Sequence, residues 1–150
     1  MNIQRVKQGA RINFYNGVFT ILFGFFYIFL SDITLRISFR NISELWGFFL
    51  RYDPKIAGLI ILFNVLVGIL LISNGIFIMY MSDFIIKRKE KMTWVMLFLS
   101  GIISSAGMLA ISILFKNWVL ITLSAIQWVT FLFGMLLPVK YYIQKSYREY

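Results

Sequence analysis

Thr20, Asn64, Ser104 and Gln127 are neutral polar residues set deep inside long apolar runs, and they are the positions where this chain could bind something. A hydroxyl or amide in a bilayer has no water to bond, so it must find another helix or a ligand. Distances from the ends of their runs predict one shared depth, a midplane polar cluster. Such a cluster either fixes helix register or forms a neutral pocket for a small ligand or lipid headgroup.

Other chemistry is sparsely supplied. With no Cys and no His, the chain lacks the thiolate nucleophile, the disulfide, the commonest zinc and haem ligand and the commonest general base. Its six acidic residues are scattered. Those near the proposed span ends (Asp32, Glu44, Asp53, Asp83 and Glu90) show no catalytic or metal-cage spacing. No catalytic residue, cofactor or metal is expected. Ion-coupled transport normally requires an ionisable group within the membrane, and the apolar runs hold none.

The elements that must position the polar residues are helices. At 60% hydrophobic and 14% charged, the chain has too little polar surface for a soluble globule, which carries about 25% charged residues. Four charge-free runs, 12–30, 56–81, 92–115 and 118–139, are each near or above the roughly 20 residues that cross a bilayer. The expected fold is an all-α integral membrane protein, a single membrane domain over residues 1–150 built as a four-transmembrane-helix bundle. Asp53-Pro54 is a helix start, an N-cap followed by proline at the first helical position. Only Lys116 and Asn117 separate the last two runs, which forces a tight antiparallel hairpin.

Basic residues set the orientation. With the N-terminus inside, the inner segments hold Arg5, Lys7, Arg11, Lys87, Arg88, Lys89, Lys91, Lys140, Lys145 and Arg148. The outer ones hold Arg36, Arg40, Arg51, Lys55 and Lys116. This bias predicts cytoplasmic N- and C-termini. It also accounts for most of the formal charge of +9, so anionic headgroups and not nucleic acid are the expected partner.

At 100° per residue each run divides into a small or polar stripe and a bulky one. The stripes are Asn13, Gly17, Thr20, Gly24 and Tyr27; then Asn64, Gly68 and Gly75. The third run contributes Ser100, Gly101, Ser104, Gly107 and Met108, and the fourth Ser124, Gln127, Gly134 and Pro138. Small residues let helix backbones approach, so these stripes should face one another.

The outer loop, residues 31–55, departs from plain spanning sequence. Residues 33–40 alternate apolar and polar, which predicts an extended or β segment carrying Arg36 and Arg40 on one face. Ile42, Leu45, Trp46, Phe49 and Leu50 then follow helical spacing, predicting an amphipathic helix capped by Asn41 with Glu44. Arg36, Arg40, Trp46 and Arg51 form a candidate outer docking surface. The function expected is that of a non-catalytic accessory or assembly subunit of a larger membrane complex. The alternative is a small homo-oligomeric protein that binds or transports a lipid or hydrophobic ligand. Expected partners are the bilayer and either other membrane subunits or further copies of the chain.

Overall fold

The computed structural model describes residues 2–42 and 46–146. Its elements are α1 (Asn2–Phe29), α2 (Ser31–Ile42), α3 (Trp46–Tyr52), α4 (Pro54–Arg88), α5 (Lys91–Leu114), α6 (Trp118–Leu136) and α7 (Val139–Ser146), with no strand among the described residues. Four of them, α1, α4, α5 and α6, are long and apolar enough to cross a membrane. They pack in a closed circuit, α1 on α4, α4 on α5, α5 on α6 and α6 back on α1. The start of α1, helix α7 and the α4–α5 turn lie at one end of this bundle, the terminal end. Helices α2 and α3 and the α5–α6 turn lie at the other, the far end.

The turns follow from local chemistry. Asp53 accepts a hydrogen bond from Ile56 N–H at 3.3 Å, and Pro54 occupies the first position of α4, as the dipeptide predicts. At the α5–α6 hairpin, Lys116 adopts a left-handed backbone with φ 50°. Asn117 then caps α6 by accepting from Val119 and Leu120 N–H at 3.2 and 3.3 Å. Helix α4 runs 35 residues, about 52 Å at 1.5 Å per residue. That exceeds the roughly 30 Å hydrocarbon layer, so it tilts or emerges.

The α1–α4 contact is built on glycine. A Cβ placed on Gly24 would lie 2.6 Å from the Gly68 carbonyl oxygen, and one on Gly17 would lie 2.8 Å from that of Gly75. Each helix repeats its glycine after seven residues, close to two helical turns, so the two rows face each other along an antiparallel pair. The same register continues to Ala10 and Ser82, both buried. Beside this seam, Val6, Ala10, Ile78, Ile85, Leu97, Phe131, Met135 and Tyr142 form the terminal-end core. Phe131 fills the space that Gly101 leaves on α5.

The structure corrects the outer loop. Residues 33–40 are not extended but belong to α2, and helical hydrogen bonding runs almost without break from α1, Leu30 N–H to Phe26 O and Thr34 N–H to Leu30 O. The alternation hid a helical face. Thr34 and Leu35 are buried and Phe39 packs with Leu35 against α4, while Ile33 and Ile37 are exposed on the opposite side. Residues 35 and 39, and likewise 33 and 37, are one helical turn apart, so both readings fit the same letters. An isolated strand would have found no neighbour to pair with. Asn41 lies inside α2 and not at the start of a new helix, Glu44 falls outside the described residues, and α3 is only seven residues long. The stripe assigned to the third run also shifts: Gly107 faces open space, and Ser105 is buried instead.

Candidate functional site

The four predicted midplane residues do not form one cluster. Thr20 and Gln127 meet: Gln127 Nε2 donates to Thr20 Oγ1 at 2.7 Å, between α1 and α6. Ser104 instead accepts from Asn74 Nδ2 at 3.1 Å, between α4 and α5. Asn64 sits towards the far end, where its Nδ2 donates to Tyr27 O at 3.1 Å and to Thr34 Oγ1 at 3.0 Å. Depth counted from the ends of apolar runs fails here because α4 is much longer than its partners, and the glycine register sets Asn64 level with the last turn of α1.

Among the described residues an asparagine lines each of two cavities. The first lies at the far end, has a volume of about 300 Å³, and is walled by Tyr27 of α1, Phe63, Asn64 and Val67 of α4, and Met108, Ile111 and Ser112 of α5. Leu35, Ser38 and Phe39 of α2 close over it. Its mouth lies between α4 and α5, where Phe63, Val67 and Ile111 are exposed. No charged residue contributes to the lining.

Hydrogen-bond directions settle which polar atoms remain available. The Thr34 hydroxyl donates to Ser31 O at 2.9 Å, so it can only accept from Asn64. Both N–H groups of Asn64 are therefore used, one on a carbonyl and one on that hydroxyl, and Oδ1 has no partner among the described residues. Tyr27 is more than nine-tenths buried, and its phenol also has no partner there. The first cavity thus offers Asn64 Oδ1 as an acceptor and the Tyr27 hydroxyl as a group able to donate or accept, beside the hydroxyls of Ser38 and Ser112, in a wall that is mostly apolar.

The second cavity is a groove of about 310 Å³ on the α1–α6 seam, lined by Ile12, Tyr15, Asn16, Phe19, Ile126, Gln127 and Thr130. Asn16 had not stood out in the sequence, although it lies four residues before Thr20 and so on the same helical face. Its Nδ2 donates to Gln127 O at 3.0 Å, with Thr130 Oγ1 at 3.5 Å. Nearer the terminal end, Asn13 donates to the Met135 sulfur at 2.9 Å, and its Oδ1 is enclosed without a partner. The hydroxyl pair Ser112 and Ser124, 3.1 Å apart, ties α5 to α6.

The candidate docking surface also divides. Trp46 is buried, packs on Phe39 with ring centroids 4.9 Å apart, and donates Nε1 to Asp32 Oδ1 at 3.4 Å, so it is a core residue and not a docking one. Arg36 is exposed and 3.5 Å from Asp32 on the next turn. Arg51 is exposed at the end of α3, and the Arg40 side chain lies outside the described residues. No protein-family model, curated protein or solved structure matches the chain.

Proposed function

We propose that this multi-pass membrane protein binds a small uncharged apolar molecule or lipid in the far-end cavity. The observation that carries the reading is the unpartnered pair Asn64 Oδ1 and Tyr27 hydroxyl in an apolar cavity of about 300 Å³. Binding sites of this kind are largely apolar, with a few placed polar groups that fix orientation. A charged headgroup would meet no counter-charge there and would lose its hydration. The mouth between α4 and α5 gives access from the surrounding lipid, and cytoplasmic termini, supported by the basic bias of the terminal end, would put the cavity in the outer leaflet.

Native mass spectrometry of protein extracted gently from its own membrane tests the reading. The expected result is a defined small-molecule adduct that disappears in Val67→Trp, which fills the mouth from an exposed position. An adduct of unchanged mass and occupancy in that variant would overturn it.

A second reading is that of a non-catalytic accessory subunit of a larger membrane assembly. It is favoured by the exposed apolar residues Ile33 and Ile37 on α2 and Phe48 and Tyr52 on α3, beside Arg36 and Arg51. Under it, Arg36→Glu with Arg51→Glu strips co-purifying subunits from the protein. Retention of every subunit counts against it.

A further inference from the structure

We propose that the α1–α6 groove is a second binding site, taking the hydroxyl of a long-chain molecule dissolved in the bilayer. The argument rests on where the protons are. Thr20 Oγ1 donates to Asn16 O at 2.8 Å, so it must accept from Gln127, which fixes the Gln127 amide with nitrogen towards Thr20. Thr130 Oγ1 donates back to Ile126 O and Gln127 O, at 2.8 and 3.0 Å, so it too can only accept from Asn16. The Asn16 amide is fixed in the same sense by its bond to the Gln127 carbonyl. Two side-chain oxygens remain, Asn16 Oδ1 and Gln127 Oε1, and neither has a partner among the described residues. Both residues are 6% exposed, and both line the groove.

An acceptor left bare in hydrocarbon is costly, because no water is there to bond it. Gln127 stands near the middle of the fourth charge-free run, 118–139, and Asn16 lies one turn inside the first, 12–30. The missing partner is a donor, since the two bare atoms are both amide oxygens. Tyr15, on the same lining and 70% exposed, adds a phenol that can return a bond to the oxygen of the incoming group. A hydroxyl matches both, donating to an amide oxygen and accepting from the phenol. An ether or an alkane offers no proton. Ile12, Phe19 and Ile126 provide the apolar walls for the chain that carries it.

The test is photo-labelling of the full chain in lipid nanodiscs with a diazirine-bearing hexadecanol and with its methyl ether. The alcohol is expected to label peptides containing residues 12–19 and 126–130 about five- to tenfold more than the ether, the gain of one made hydrogen bond. Ile126→Trp, which fills the groove from a position 54% exposed, should abolish that labelling, and Gln127→Met should erase the preference for the alcohol. Equal labelling by the two probes would overturn the proposal, since a groove satisfied by water or open to any lipid gives that result. So would labelling that survives Ile126→Trp. A Tyr15→Cys variant, clean because the chain has no cysteine, should stay monomeric on oxidation in membranes. Efficient cross-linking between copies would mean that a second chain covers the groove, and would overturn the proposal as well.

Discussion

Helix α1 meets its two neighbours by different means over most of their length. Towards α4 it presents Ala10, Gly17 and Gly24, and the backbones close until a methyl group would strike a carbonyl oxygen. Towards α6 it closes on glycine at the terminal end, where a Cβ on Gly9 would meet the Gly134 carbonyl oxygen, and from there inward it presents Asn13, Asn16 and Thr20, which hold the partner by amide and hydroxyl bonds. The difference lies in what each leaves behind. Dispersion between close backbones needs no proton accounting, so the glycine seam is complete in itself. An amide brings two donors and one acceptor oxygen; helix carbonyls and back-bonded hydroxyls use the donors, and the oxygen is left over. Surplus acceptors and the grooves beside them therefore collect on amide seams. Asn64 on α4 repeats the pattern at the far end.

Substitutions that exchange the two means should separate them. The largest effect is expected from Gly68→Leu, because the added atoms meet the Gly24 carbonyl oxygen of the α1 backbone, which cannot turn aside, as well as the Ile28 side chain. Such overpacking costs about 3 kcal/mol, read as a drop in the melting temperature of the protein in detergent. Asn16→Ala should cost about 1–2 kcal/mol in the same assay, since it removes one good interhelical bond and one long one. A loss as large as that of Gly68→Leu would mean that the amide seam, and not the glycine seam, carries the bundle. Asn13→Ala should cost less, about 0.6 kcal/mol or under, because it gives up a bond to sulfur together with an oxygen that had no partner. Smallest of all is Gly107→Ala. Its added methyl group meets nothing within 4 Å, so the helix should gain about 0.5 kcal/mol, and a measurable loss would place an unseen neighbour on that face of α5.

Particular residues mark the limit of what the letters could tell. Gly17, Gly24, Gly68 and Gly75 are legible as facing stripes because one helix has one period, and lipid leaves small residues few other reasons to align. Asp53-Pro54 and Lys116-Asn117 are legible because caps and short turns are settled within a few residues. Residues 33–40 misled because alternation and a helical repeat of four share every second position, and only Leu35 and Phe39 docking on α4 decides between them. The midplane cluster misled for a different reason. Ser104 does lie near the level of Thr20, though on another seam, but depth is a property of two helices in register, and nothing local to Asn64 records where the neighbouring helix begins.

The sequence by itself determined the class of the protein. Four charge-free runs can satisfy their backbones in lipid only as helices, and this holds before any contact forms. It determined the ends of those helices where caps are local, and the faces that meet where small residues repeat. The tertiary structure alone decided which polar groups face which. It set Gln127 on Thr20, Asn64 on Thr34 and Asn74 on Ser104, because the slide of each helix on its neighbour is fixed by packing along their whole shared length and not by any one residue. The same slide decided which oxygens were left without a proton, and so where the cavities of this protein have something to hold.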